Sequence, residues 1–233
     1  MSTLDHVINT VRAVRQAGQL PVIVFDLDST LFNTSGRHLA IVQAFAEQQP
    51  AVAEVVSTLG LDDFGWHVDA PLARRGVAET HLVALRAFWF ERFFHDDWVG
   101  HDLAQKGGPE FVQEVHREGA LVYYLTGRDV GGMARGTAQA LLSQGYPFFT
   151  GRTVLHLKPH FDLDDVVFKD QATADIRSHG GQVVATFENE PGNANLFLDN
   201  FPQANHFLIG KVRSPTSPQP RPEIIEIADF VRS

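Results

Sequence analysis

The run Pro21-Val-Ile-Val-Phe25 constrains this chain more than any other stretch, because it ends abruptly in two carboxylates, Asp26 and Asp28, and the hydroxyl of Thr30. A short, unbroken, β-branched apolar run reads as a strand buried on both faces, the kind found inside parallel sheets. In open α/β sheets, ligands bind just beyond the carboxyl ends of such strands. The two acids therefore fall where chemistry is done. Neighbouring anions at a sheet end are costly unless a cation or a proton holds them, so the stretch points to a metal site.

Strand and helix alternate around it. Leu4, Val7, Ile8, Val11 and Val14 recur at near-helical spacing before Gly18 and predict an amphipathic helix from about Thr3 to Gln16. After Lys106-Gly-Gly-Pro109, a helix runs to Arg117, with the proline suited to its first turn. A strand over Ala120–Leu125, a helix through Met133–Leu142 and a short strand over Thr153–Leu157 follow. A further helix ends near His179-Gly-Gly181, and strands are expected over Gln182–Phe187 and Asn205–Ile209. Between the first two long strands, residues 35–105 are helical throughout, with stripes Leu39, Val42, Phe45, Ala46 and Leu82, Leu85, Trp89, Phe93, breaks at Pro50, Gly60, Gly65 and Pro71, and no strand. Such alternation implies an α/β fold with a Rossmann-like parallel sheet. Its core comprises residues 1–34 and 106–233, and 35–105 form an inserted helical subdomain. Residues 211–222, KVRSPTSPQPRP, read as an extended surface segment, and IIEIADFVRS as a closing helix or strand.

With 233 residues, 44% of them apolar and 20% charged, the chain is able to bury a substantial core. A formal net charge of −9 argues against nucleic acid as a habitual partner, which needs a cationic surface. It does not argue against a small phosphorylated molecule, which a single local cation holds. The absence of cysteine excludes disulfides, thiolate catalysis and cysteine-ligated zinc. No window approaches the roughly 20 apolar residues of a membrane span, and the N-terminus lacks the apolar centre of a signal peptide. A cytoplasmic protein is expected, and the oligomeric state is not legible.

Four polar features fall at strand ends or just before them. They are Asp26-x-Asp28-x-Thr30, Thr126-Gly127-Arg128 after Leu121–Leu125, Lys169 before the last long strand, and Glu188-Asn189-Glu190-Pro191 after Val183–Phe187. Taken in order over roughly 20–33 and 106–209, they resemble the four motifs of the haloacid dehalogenase superfamily, in its phosphatase-like branch. The resemblance implies a magnesium-dependent phosphatase acting on a small phosphorylated metabolite through an aspartyl-phosphate. It implies Asp26 as nucleophile and Asp28 as the acid that protonates the leaving oxygen and then activates water. Thr126 and Gly127 would hold phosphoryl oxygens, with Lys169 as the positive charge on the phosphate. The metal would be held by Asp26, Asp28 and Asn189, with Glu188 beside them orienting lysine or water. Residues 35–105 resemble the all-helical cap of many members, which excludes water and selects the leaving group.

The chemistry of these residue types is coherent. An aspartate near its ordinary pKa of ~3.9 is ionised at neutral pH, and a carboxylate attacks phosphorus once a metal neutralises the substrate oxygens. General acid–base help contributes ~10²–10⁴-fold, far short of the up to ~10²¹-fold of monoester hydrolysis. Electrostatic positioning supplies most of the rest. Magnesium suits carboxylates, a carbonyl and water better than zinc does.

Several alternatives stay open. Lys158, in Leu157-Lys-Pro159, rivals Lys169, and Asp199 is a substitute ligand. Glu188-Asn189 and Asn193 stand where the commonest pattern of the superfamily has aspartates, which leaves the site less negative. His156 and His160 are separated by Pro159, so they do not share one helix. His95-Asp-Asp97 with His101-Asp102 reads as a solvated helix end, and Phe88-Trp-Phe90 with Phe93-Phe94 as packing inside the insertion. Arg128 and Asp129 are expected to fix their loop by an ion pair or to contact the insertion. On the same fold a phosphoryl-transferring mutase or a dehalogenase is the rival reaction, although Asp28 and Thr30 disfavour the latter. A catalytically weak protein that binds a phosphorylated ligand is the rival from another class.

Overall fold

Where the apolar spacing is regular, the elements form as their sequence predicts. In a computed structural model of the chain, which describes residues 2–232, helix α1 (Thr3–Gln16) opens with a capping box: the Ser2 hydroxyl accepts from the Asp5 N–H, and the Asp5 carboxylate accepts from the Ser2 N–H. Strand β1 (Pro21–Phe25) is buried along its whole length. A short strand β2 (Phe32–Asn33) leads into α2 (Ser35–Gln48), α3 (Ala53–Ser57), α4 (Ala70–Arg74), α5 (Glu79–Phe93) and α6 (Asp96–Val99). Strand β3 (Leu103–Ala104) returns antiparallel to β2. Alternation then resumes with α7 (Gly108–Arg117), β4 (Leu121–Asp129), α8 (Val130–Ser143), β5 (Thr153–Lys158) and α9 (Asp165–Ser178). It continues through β6 (Gln182–Glu188), α10 (Pro191–Asn200), β7 (Asn205–Ile209) and β8 (Ile225–Ile227).

Six strands form a parallel sheet in the order β5-β4-β1-β6-β7-β8. The chain runs outward from β1 through β4 to β5, then returns to lay β6 on the other side of β1. The strand order therefore reverses at β1, and the crevice for a ligand opens at its carboxyl end. Alternate residues of β1 serve opposite faces. Ile23 and Phe25 pack with α1, α7 and α8, where Phe25, Phe187 and Phe207 stack at 4.9 and 4.7 Å. Val22 and Val24 join the opposite layer, with Phe168, Ile176 and Phe197 of α9 and α10.

Residues 35–105 are mostly helical and gather an apolar cluster of their own, including Val42, Phe45, Leu72, Leu82 and Leu85. The expectation of no strand there is corrected at Leu103–Ala104. A chain that leaves and rejoins the sheet at one place lets its two crossings satisfy each other's backbone groups. Gly36 permits the close crossing, since a Cβ there would lie 2.1 Å from the His101 carbonyl oxygen. Strand β4 runs past Leu125, and its last residues still pair with β5 across a register shift between Thr126 and Asp129. Residues 211–222 are pinned rather than loosely draped: Ser214 N–H donates to Glu190 at 2.7 Å, and the Val212 carbonyl accepts from Asn189 Nδ2 at 2.9 Å. Among the described residues, no helix is long and apolar enough to cross a membrane.

Candidate active site

The turn after β1 is wound tightly. The Leu27 carbonyl accepts from the N–H groups of Thr30, Leu31 and Phe32 at 3.1, 2.9 and 2.8 Å. Ser29 takes a left-handed φ of 59°, a strained conformation for a residue with a Cβ. This winding sets the Thr30 hydroxyl 2.9 Å from Asp26 Oδ2, to which it donates. From α9, Lys169 Nζ reaches Asp26 Oδ1 at 2.8 Å and also donates to Glu188 Oε1 at the end of β6. All three charged side chains are buried. One ammonium thus serves two buried carboxylates. Burial raises the Asp26 pKa against the pull of Lys169, and it pushes Glu188 up to about 7. For Lys169, burial acts downward, but the two carboxylates outweigh it and keep the amine protonated.

A second charged network lies beside the first. Arg128 grips Asp28 with both ends of its fork, Nε at 2.7 Å and Nη2 at 2.9 Å, and Arg37 Nη2 adds a contact at 2.7 Å. Asp102, fully buried, accepts from Arg37 Nε at 2.8 Å and from Arg128 Nη2 at 2.7 Å. Burial alone would raise the Asp28 pKa, but the Arg128 and Arg37 guanidiniums outweigh it and hold the carboxyl far below its usual range. In this arrangement Asp28 is an anion held by guanidiniums, so the roles expected of it as leaving-group acid and as metal ligand require those arginines to turn away.

The other candidates divide similarly. Glu188 sits where it orients the lysine: it is fully buried, with one oxygen on Lys169 and the other accepting the Asn189 and Glu190 N–H groups at 3.2 and 3.3 Å. The Thr126 hydroxyl is likewise buried and accepts from the Arg128 N–H at 3.2 Å, so it holds its own loop. Gly127 lines the cleft beside Asp26 and approaches closely, as a Cβ would lie 2.6 Å from Asp165 Oδ2. Lys158 pairs with Asp165 at 2.7 Å, whereas Lys169 is the lysine beside Asp26. Asp129 caps α8 through the Gly132 N–H at 2.8 Å, while Arg128 makes the ion pairs. His156 lies on β5 against the Tyr123 hydroxyl at 2.5 Å.

Among the described residues, no group of three or more acidic or histidine side chains is placed to hold a metal ion. Neutral oxygens complete the inventory. Asn189 donates its Nδ2 to the Val212 carbonyl, which leaves its Oδ1 as an acceptor, and among the described residues Asn193 Oδ1 is buried with no hydrogen-bond partner. Both amides line the cleft with Asp26. An unmatched buried oxygen in the same cleft as a carboxylate in excess over its lysine fits a hard, oxygen-seeking cation of the magnesium class.

The cleft measures about 560 Å³. Trp89, Phe90, Phe93 and Phe94 line it, while Phe88 and Trp89 also pack on the insertion's own cluster, Phe88 edge-on to Phe45. His38 joins this wall, with its Nδ1 accepting from Trp89 Nε1 at 3.0 Å and its ring stacked on Phe93 at 4.9 Å. Burial and the adjacent Arg37 push its pKa down to about 3. The unfolded chain then binds a proton near pH 6.5 that the folded chain refuses until about pH 3. Stability due to this histidine is complete above pH 6.5 and declines with acid, by up to ~1.4 kcal/mol per pH unit. In denaturant titrations, His38→Phe is expected to flatten the pH dependence by about one proton across that window; an unchanged slope contradicts a neutral, buried His38.

Arg37 was not singled out in the sequence, and Asp102, expected in a solvated helix end, is instead buried between two guanidiniums. Arg37 carried a signal, because it continues the buried face of α2 four residues before Ile41 and eight before Phe45. A charge on an apolar stripe requires a buried partner. Asp102 carried none.

No family model matches the chain, and no curated protein matches it. Among solved structures, a proposed phosphatase from Clostridium difficile is similar over 90% of this chain and 94% of its own, at 10% identity and a TM-score of 0.54. A proposed haloacid dehalogenase-like hydrolase from Bacteroides fragilis is similar over 89% and 97%, at 9% identity and a TM-score of 0.51. The Class C acid phosphatase from Bacillus anthracis, solved with tungstate bound, matches 81% of this chain at 16% identity and a TM-score of 0.43, and the chain spans 62% of its length. At these identities the likeness is one of fold. The chain has the α/β fold shared by haloacid dehalogenase-like hydrolases.

Proposed function

We propose that this protein is a metal-assisted phosphomonoesterase acting on a small phosphorylated metabolite, with Asp26 as nucleophile. The juxtaposition of Asp26, Thr30 and Lys169 at the carboxyl end of β1 carries the reading. Thr30 and Lys169 fix one carboxylate orientation, and a positioned carboxylate attacks phosphorus in line. An Asp26 oxygen bonds to phosphorus as the ester P–O bond breaks and the alcohol departs. Water then cleaves the aspartyl-phosphate, so the sum is one water consumed, one alcohol and one inorganic phosphate released. Arg128 and Arg37 line the cleft and meet the negative charge of the transferring group. Asp28 acts as an acid only when those guanidiniums withdraw, and Arg37 lies on the inserted helices. Movement of residues 35–105 as a cap would withdraw Arg37, while Arg128, on β4, would turn from Asp28 to the phosphoryl group. Asp26, Asn189 and Asn193 are the oxygens that would hold magnesium, whose charge would neutralise phosphoryl oxygens.

The purified protein is expected to release phosphate from a panel of monoesters, with activity lost after exhaustive chelation and restored by magnesium. Undiminished turnover after chelation sinks the metal. Binding of a phosphate ester without any turnover supports the rival reading of a phospholigand-binding protein, which the clamped Asp28 favours. Inorganic phosphate also distinguishes the lysines. Lys169→Ala should weaken its binding on the order of 10- to 100-fold, the weight of a charge-assisted hydrogen bond. Lys158→Ala, which frees only a half-exposed Asp165, should change it less than about twofold. The reverse ranking in calorimetry reassigns the phosphate lysine.

A further inference from the structure

The cleft above Asp26 is walled by rings. Trp66, Trp89, Phe90, Phe93, Phe94 and His38 all line it together with Asp26 and Lys169. Part of this wall is a rigid stack. His38 lies nearly parallel to Trp89 at 5.8 Å and 12°, and to Phe93 at 4.9 Å and 22°. Two of the rings stand outside this parallel stack, Trp66 and also Phe90, which meets Phe94 and Phe161 only edge-on at 5.5 and 5.7 Å. Trp66 is 45% exposed and Phe90 53% exposed, although the inserted helices bury Val42, Leu72 and Leu85 completely. Among the described residues no ring stacks on Trp66, which sits in a loop between short helices. An indole left half in water at the edge of a cleft presents an unused π-face.

Such faces discriminate among ligands. Aromatic rings stack favourably on other flat rings, in offset or edge arrangements. A sugar phosphate or a short aliphatic ester offers them no π-face, only C–H groups. A cleft of about 560 Å³ is larger than a bare phosphate or a triose ester needs, and it falls within the range for ligands of nucleotide size. Resting on the phosphatase reading for the polar end of the cleft, we propose that the ligand is a phosphate monoester carrying a flat aromatic ring system. Its phosphate sits at Asp26 and Lys169, and its ring lies against Trp66 and Phe90. Two sources share this chemistry: a nucleoside monophosphate, and an ester whose phosphate is attached directly to the ring.

The full-length chain tests this with four probes. Adenosine 5′-monophosphate and 1-naphthyl phosphate carry rings, and ribose 5-phosphate and glycerol 3-phosphate do not. Wild-type kcat/KM should favour the ring-bearing esters at least about tenfold, and the better of the two identifies the source. Trp66→Ala and Phe90→Ala should each reduce that preference roughly 5- to 150-fold, mainly through KM, as expected for loss of one stacking face. Trp66→Phe should retain most of it. Calorimetric titration of Asp26→Asn protein with the same probes reads the ligand class without turnover. If no ester is hydrolysed but this variant binds the ring-bearing probes more tightly, the phosphatase reading fails and the ligand class stands. Equal binding and equal turnover of ring-bearing and ring-free esters overturn the ligand class and leave the phosphatase reading intact.

Discussion

Asp26→Asn is expected to remove turnover, by on the order of 10⁶-fold as for loss of other enzymatic nucleophiles, without lowering stability. The amide is nearly isosteric and keeps an oxygen to accept from the Thr30 hydroxyl, which lies 2.9 Å from Asp26 Oδ2. Lys169 loses one partner but retains Glu188. The site then holds one buried ammonium and one buried carboxylate in place of one and two. Relief of the excess negative charge offsets the lost ion pair, so the thermal midpoint should stay level or rise. Kinetics and a melting curve on the same preparation check both halves. Wild-type activity in the variant sinks the assignment of the nucleophile, and a collapsed melting curve would assign Asp26 a structural role instead.

Asp102→Ala should have the largest effect on stability. Arg37 and Arg128 are both buried, and they share two carboxylates, Asp28 and Asp102. Deleting Asp102 leaves two guanidiniums on one carboxylate that is itself a third exposed. Breaking a buried pair costs about 3–5 kcal/mol because the remaining charge cannot recover its hydration. For a chain of this length that corresponds to a fall in Tm of roughly 6–20 °C. Asp97→Ala makes the contrast, because its pair with Arg135 is exposed on both sides and should shift Tm hardly at all. Equal melting of the two variants contradicts the buried network.

The network also explains why part of the site was legible and part was not. Asp26, Thr30, Gly127, Lys169 and Asn189 each follow or flank an apolar run, so their position at the carboxyl edge could be inferred from the run itself. Thr126 was equally well placed along the chain, yet its hydroxyl turns to its own loop amide, whereas Glu188 meets Lys169 with one oxygen and loop amides with the other. Direction at a strand end depends on the local winding, which apolar periodicity does not encode. The aromatic run over Phe88–Phe94 was visible as a mass of rings. Which faces look into the cleft was settled by how α5 lies against α2, and only Phe88 turned to Phe45. Glu190 looked like part of a motif, but its carboxylate accepts from Ser214 and Ser217 and ties down the proline-rich segment.

Acting alone, the sequence determined the alternation of strand and helix, the parallel sheet, the helical character of residues 35–105 and the polar residues at the sheet's carboxyl edge. These follow from hydrophobic periodicity and turn chemistry, which operate over a few residues. Only the tertiary structure decided which charges neutralise which. Arg37 meets Asp102 across 65 positions, and Arg128 meets Asp28 across 100. Such pairs form because the fold buries them together, where an unmatched charge is too costly to leave.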